Sequence, residues 1–227
     1  MAEHPPITPL NLPADVRAIL IYGGSFDPIT SAHVRVAVEA RASWRKDAWL
    51  VFVPAARSPH RDMPSASAEH RSAMVRLAIT DIDAATIWTD EIDRSSWRLA
   101  RGLDLPSYMS ETLERLDRVV HPDVIRRLLM GSDQAIAFHR WHEHRRVLAL
   151  AEPVVFVRAP HRDPHTVVAA LRATGAWTEP ELAQWGMRIV PCTPVEGSAT
   201  EVRSGKRELL TEAVAEYIRR HGLYAGG

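Results

Sequence analysis

Cysteine is nearly absent. Cys192 stands alone among 227 residues, so no disulfide can close within the chain, which fits a reducing compartment and leads to the expectation of a cytoplasmic protein. Lysine is almost as scarce: Lys46 and Lys206 are the only two, and the other basic residues are arginines, whose planar fork of donors grips phosphate or carboxylate bidentately. Net charge is missing as well. The 28 Lys and Arg balance 28 Asp and Glu, which excludes a chain basic throughout, as a general nucleic-acid binder would be, and an acidic disordered one. No apolar run approaches the roughly 20 residues that cross a bilayer, so no membrane partner is expected. Residues 1–16 hold Pro5, Pro6, Pro9 and Pro13 and no apolar core. They read as a flexible, proline-rich arm and not as a secretory signal.

What is present is ordinary globular composition, 46% hydrophobic and 25% charged, enough for one domain over 17–227. Apolar runs at 18–22, 49–53, 124–130 and 154–157 read as buried strands. Residues 86–92 alternate and read as a further strand, and 187–190 as a short one. Helical spacing covers 33–46, with Val34, Val38 and Ala42 on one face, and 69–79, with Met74, Leu77 and Ala78 inward. It recurs over 107–116, over 134–150 with a break near His139, and over 166–174 and 208–221. Alternating strands and helices predict an α/β fold, a Rossmann-like doubly wound sheet, mostly parallel, with helices on both faces. In such sheets ligands bind beyond the carboxyl ends of the strands.

The segments that follow the strands carry the chemistry. Gly23, Gly24, Ser25, Phe26, Asp27, Pro28, Ile29, Thr30, Ser31, Ala32 and His33 form a strand, a glycine turn and a helix start. The glycines let a backbone approach a ligand, and the helix N-terminus offers free N–H groups to an anion. This is neither the dinucleotide-binding glycine pattern nor the Walker pattern. Near the other end, Ser198 with Glu201 reads as a helix cap; Ser198, Thr200 and Arg203 also suit a polyphosphate. Asp133 after Gly131 reads equally as a helix cap or as an acceptor for ribose hydroxyls. Trp141, in the polar string His139 to His144, is a candidate for stacking on a flat cation. The histidines of that string and Glu143 have no clean metal-ligand spacing, and no metal-ligating residue is expected. Cys192 has no visible activating partner and reads as structural.

The first segment resembles the nucleotidyltransferase superfamily signature G-x-F-D-P-x-H/T-x-G-H at Gly24, Phe26, Asp27, Pro28, Thr30 and His33, with Ala32 where glycine is usual. Ser198, Thr200, Val202 and Arg203 resemble the second signature, I-S-S-T-x-I-R, with Gly197 and Ala199 departing from it. The middle of the chain is similar to nicotinate-nucleotide adenylyltransferases. Val53 to Arg61 resembles the V-P-x-x-x-P-P-H-K loop, with Arg61 for lysine. Glu91 with Ser107 to Leu113 resembles E…S-Y-T-x-x-T-L, with Met109 for threonine. Gly131, Asp133, Phe138 and Trp141 resemble G-x-D…F…W. The resemblance spans about Ile19 to Tyr224.

That resemblance implies transfer of AMP from ATP to nicotinate mononucleotide, giving the deamido dinucleotide and pyrophosphate in NAD biosynthesis, with Mg²⁺ accompanying ATP. It implies catalytic roles for His33, Thr30 and Arg203. ATP would be held by Gly23, Gly24, Ser25, Phe26, His33, Gly131, Asp133, Ser198, Thr200 and Arg203. The mononucleotide would meet Asp27, Arg61, Ser107, Tyr108, Thr112 and Trp141. A related transferase acting on nicotinamide mononucleotide or phosphopantetheine is the nearest alternative. A nucleotide-binding protein without catalysis, suggested by Ala32 and Ala199, is the alternative of another class. A homo-oligomer is compatible with the sequence, which does not fix one.

Overall fold

The computed structural model describes residues 4–57, 64–193 and 198–224. Among these residues six strands form one sheet: β1 Ala18–Gly24, β2 Trp49–Pro54, β3 Ala85–Ile87, β4 Ile125–Gly131, β5 Glu152–Phe156 and β6 Ile189–Val190. Their order is β3-β2-β1-β4-β5-β6, and each of the five pairings is parallel. The chain winds outward from β1 in one direction, then returns beside β1 as β4 and winds in the other. The switch point therefore lies between β1 and β4, where ligands bind in doubly wound sheets.

Among the described residues ten α-helices cover the two faces: α1 Ser31–Trp44, α2 Ala68–Ala78, α3 Asp90–Leu99, α4 Met109–Asp117, α5 Ser132–Ala137, α6 His144–Leu150, α7 Pro164–Ala173, α8 Glu179–Met187, α9 Ala199–Arg203 and α10 Glu212–Arg220. Strand side chains alternate between two cores, as a two-residue period requires. Leu20, Tyr22, Leu50 and Phe52 face α1, α2 and α10, represented by Val36, Ala37, Met74, Val214 and Ile218. Ile19, Ile21, Val51 and Val53 face the opposite layer with Leu113, Leu116, Phe138, Val147 and Trp185. The arginines early in β4 do not interrupt the strand, because they sit at its outer end. Arg126 reaches the carbonyls of Val120 and Val124 and pairs with Asp117, and Arg127 pairs with Glu152.

Three local expectations need correction. Only 85–87 of the alternating segment is strand. Asp90, Glu91 and Asp93 fall in the first turn of a helix, where acidic side chains oppose the helix dipole favourably. The buried face of α1 is Ala32, Val34, Val36, Ala37 and Ala40, with Val38 packed against the same core; of the three expected residues only Ala42 is exposed. Small residues let the helix lie close on the sheet. The segment read as a loose arm has no regular element among its described residues, but it is packed on the domain. Ile7, Leu10, Leu12 and Val16 join the second core. Thr8 N–H donates to Asp90 Oδ1 at 2.8 Å, Trp88 Nε1 donates to the Thr8 carbonyl at 2.8 Å, and Arg115 donates to the carbonyls of Pro5 and Pro6 at 3.2 and 2.6 Å. Proline lacks an N–H but keeps its acceptor, so a proline-rich strap suits a buried arginine.

Candidate active site

A cavity of about 940 Å³ opens at the switch point. Tyr22 to Asp27 and Leu128 to Gly131 form its floor, and loops and helix starts from both halves of the sheet form its walls.

His33 enters from the first turn of α1. Thr30 caps that helix, its Oγ1 accepting the His33 N–H at 3.3 Å, and the Thr30 N–H donates back to His33 Nδ1 at 3.1 Å. A backbone N–H can only donate, so Nδ1 is the acceptor and Nε2 carries the proton in the neutral ring. Thr30 Oγ1 also lies 2.7 Å from Nδ1. Phe26 meets the ring edge-on at 5.6 Å. Phe26 has a φ of +47°, a conformation disfavoured for a residue with Cβ, and one that clusters at functional turns.

Asp27 is 6% exposed and organises the same turn. Its Oδ2 accepts from Ser65 N–H at 2.7 Å; its Oδ1 accepts from Ala66 N–H at 3.0 Å and from the Tyr224 hydroxyl at 2.6 Å. Beneath it, the buried Arg71 donates to the carbonyls of Ser25, Ala55 and Ala66. One guanidinium thus ties the turn after β1 to the loop after β2. Burial lowers the Arg71 pKa, and the nearby Asp27 charge opposes that.

Arg203, at the end of α9, reaches across to this turn. Its Nη1 donates to the Asp27 carbonyl at 2.6 Å and its Nη2 to Thr200 Oγ1 at 3.1 Å. Ser198 caps α9, and Ser198, Ala199, Thr200 and Arg203 all line the cavity.

Gly131 and Asp133 line the opposite wall. Gly131 is the N-cap of α5, so Asp133 falls in that helix's first turn and is not its cap. Asp133 folds back over Gly131 so closely that a Cβ there would sit 2.5 Å from Oδ1. That oxygen is buried and has no hydrogen-bond partner among the described residues; Oδ2 lies 3.8 Å from Arg158 Nη1. At the other end of the cavity, Tyr108 and His142 stack with centroids 4.2 Å apart and Trp141 packs on Phe138. Ser107 is held there by its N–H, which donates to the Arg57 carbonyl at 3.1 Å.

The cavity therefore unites Gly23, Gly24, Ser25, Phe26, Asp27, His33, Ser107, Tyr108, Gly131, Asp133, Trp141, Ser198, Thr200 and Arg203. Two expected residues stand behind it. Thr30 is 1% exposed and acts on His33, and Thr112 is fully buried and holds Glu91. Arg61 lies outside the described residues. Ala32 is packed in the core and does not line this cavity, whereas Ala199 does.

Sequence reasoning missed Glu91, Met109, Arg140, His142, Phe156 and Arg158 as cavity residues. Glu91 was legible in the E…S-Y-T resemblance; the arginines had no mark that set them apart from the many others. Glu91 accepts from Ala56 N–H at 3.1 Å and from Thr112 Oγ1 at 3.3 Å. Burial pushes its pKa up, with the Arg94 charge opposing the rise.

The chain matches the cytidylyltransferase-like family over residues 21–204. A protein of Hydrogenovibrio crunogenus, named a probable nicotinate-nucleotide adenylyltransferase, is 36% identical over 216 residues, covering 92% of this chain and 98% of its own length. One of Pseudomonas syringae pv. tomato with the same name is 36% identical over 218 residues, with 92% and 94% covered. The chain belongs to the nicotinate-nucleotide adenylyltransferase family. Its fold is also that of a solved nicotinic acid mononucleotide adenylyltransferase of Plasmodium falciparum complexed with NaAD. The TM-score is 0.64 at 16% identity, covering 93% of this chain and 98% of that one. A putatively assigned nicotinate-nucleotide adenylyltransferase from Vibrio parahaemolyticus has a TM-score of 0.58 at 14% identity, with the same coverage. Membership of this family makes the chain a nucleotidyltransferase, and the cavity at the switch point is its candidate active site.

Proposed function

We propose that this enzyme transfers AMP from ATP to nicotinate mononucleotide. A phosphate oxygen of the mononucleotide attacks the α-phosphorus of ATP. The bond from that phosphorus to the bridging oxygen breaks, pyrophosphate leaves, and the deamido dinucleotide remains. The observation that carries this reading is the meeting of His33 and Arg203 at one cavity. They come from segments about 170 residues apart, joined where Arg203 grips the Asp27 carbonyl.

Such chemistry is mostly positioning and charge stabilisation. His33, its tautomer fixed from behind by Thr30, donates Nε2–H to the α-phosphate as negative charge develops there. Arg203 with Ser198 and Thr200 holds the β- and γ-phosphates. The backbone from Gly23 to Phe26 lies along the triphosphate, and Gly131 and Asp133 bind the adenosine. Asp27, Ser107, Tyr108, Trp141 and Arg61 serve the mononucleotide side, with Thr112 acting through Glu91. The volume matches the upper range of small-molecule pockets, which an extended dinucleotide requires.

Nucleotidyltransferases of this family use a divalent metal with ATP, and Mg²⁺ is the ion we assign. Among the described residues no group of three His, Cys, Asp or Glu forms a metal site. The ion fits as one carried by triphosphate oxygens and water, where it neutralises phosphate charge. Among the described residues no helix is long and apolar enough to cross a membrane; a cytoplasmic location is part of this proposal.

The test is His33→Ala. Pyrophosphate release from ATP and nicotinate mononucleotide is expected to fall by about two to four orders of magnitude, the usual worth of an electrostatic or acid–base group. A rate near wild type would remove His33 from the reaction.

A further inference from the structure

The C-terminal end of the described chain makes a contact that the proposed reaction does not use. After α10, Gly222 has a φ of +60° and Tyr224 a φ of +57°. A left-handed conformation is ordinary for glycine and costly for tyrosine, and it persists only where surrounding contacts fix it. Those contacts are present. Leu223 N–H donates to the Ile218 carbonyl at 3.0 Å, and Arg207 Nη2 donates to the Tyr224 carbonyl at 3.1 Å. The turn delivers the half-buried phenol to Asp27, a cavity residue, where its hydroxyl donates to Oδ1 at 2.6 Å.

Asp27 is the point at which four segments meet. Its carboxylate takes Ser65 N–H, Ala66 N–H and the Tyr224 hydroxyl, while its carbonyl takes Arg203 Nη1. Among the described residues, the cationic nitrogen within 4 Å of the carboxylate is that same Arg203 Nη1, 3.9 Å from Oδ2. A nearly buried carboxylate that loses a donor turns to the closest cation. The Tyr224 hydroxyl satisfies Asp27 and so keeps that shift from occurring.

We propose that Tyr224 is a positioning residue for the triphosphate side of the site: by occupying Asp27 Oδ1 it prevents Asp27 from capturing Arg203, and leaves the Arg203 guanidinium to a polyphosphate. This rests on the reading of Arg203 as a triphosphate ligand. Without the hydroxyl, the Asp27–Arg203 ion pair competes directly with the β- and γ-phosphates. On the mononucleotide side that competition reaches Asp27 alone; Ser107, Tyr108 and Trp141 lie outside it.

The experiment uses the full chain with Tyr224→Phe, Arg203→Ala and the double variant, and reads the Kd of ATP and of pyrophosphate by calorimetry. Steady-state KM values for both substrates and melting temperatures accompany it. Tyr224→Phe removes one oxygen and little volume, and is expected to weaken ATP and pyrophosphate about tenfold, the effect of losing one charge-assisted hydrogen bond. KM for the mononucleotide, which senses the change through Asp27 alone, rises by less than about threefold. In the Arg203→Ala background the same change has no further effect, because the residue it acts through is gone. An ATP Kd for Tyr224→Phe within twofold of wild type overturns the proposal. So do additive effects in the double variant, and so does an equal rise of both KM values together with a lower melting temperature. Arg203→Ala binding ATP as tightly as wild type overturns the reading of the site itself and the proposal with it. A weakened Arg203→Ala beside an unchanged Tyr224→Phe overturns the Tyr224 role alone.

Discussion

Replacing Asp90 with asparagine tests what holds the N-terminal strap to the domain. Asp90 is fully buried. Its Oδ1 accepts from Thr8 N–H and from Arg115 Nη2, both at 2.8 Å. Its Oδ2 accepts from Arg115 Nε at 2.6 Å and from Arg94 Nη1 at 3.4 Å. Asparagine preserves the shape but removes the charge and turns an NH₂ group toward an arginine. Arg94 and Arg115, 1% and 7% exposed, would then share less compensating charge in a dry setting. Removing one partner of a buried pair costs about 3–5 kcal/mol, a large part of a typical total of about 5–15 kcal/mol. At about 2–4 °C per kcal/mol for a chain of this size, melting should fall by about 6–20 °C. Urea unfolding and calorimetry measure it, and limited proteolysis should cut the strap before the rest of the chain. Asp47→Asn, which breaks the exposed Arg45 pair, is the control and should leave melting unchanged. A loss below about 1 kcal/mol for Asp90→Asn would refute the assignment of the strap to this cluster.

Other outcomes follow from single contacts. Gly131→Ala should weaken ATP about tenfold, since the new Cβ displaces Asp133 Oδ1 from 2.5 Å, while φ at −74° adds no backbone strain; unchanged ATP calorimetry would contradict it. Thr30→Val removes the cap on α1 and the oxygen behind His33, and should cost about 1 kcal/mol of stability together with a lower kcat; a normal kcat would separate Thr30 from the His33 ring. Glu181 is held down to about 2 by the Thr178 N–H, Arg145 and the Thr178 hydroxyl. A depressed carboxylate stabilises above its ordinary value of 4.5 and loses that contribution as pH falls through about 2. Glu181→Gln should therefore melt below wild type at neutral pH and converge with it toward pH 2. Burial pushes the Cys192 thiol up to about 11, so alkylation by iodoacetamide should be slow at neutral pH and accelerate only in strong alkali.

The buried strands were legible because each is a short apolar run, three of them ended by Gly23, Pro54 or Gly131, and the switch point follows from their alternation with helices. The helix α8 was not anticipated, although Thr178 and Glu181 form a capping box around Pro180; that signal is local chemistry and carries no hydropathy period. Asp90 and Glu91 looked like the end of an alternating strand because their partners come from elsewhere: Thr8 on the strap, Arg115 on α4 and Ala56 after β2. Thr30 and Thr112 share the composition of ligand-binding threonines. Only packing shows that one supports His33 and the other Glu91. The proline content of 1–16 foretold the lack of regular structure there and could not foretell the docking, which depends on carbonyl acceptors that every residue has.

The central claim is the acceptor. Purified chain with ATP and Mg²⁺ should be given nicotinate mononucleotide, nicotinamide mononucleotide and phosphopantetheine in turn, and kcat/KM for pyrophosphate release compared. Turnover with nicotinate mononucleotide is expected at least about tenfold above either rival, with the deamido dinucleotide as product. Equal or greater kcat/KM with nicotinamide mononucleotide or phosphopantetheine would contradict it, as would tight ATP binding with no pyrophosphate released for any acceptor.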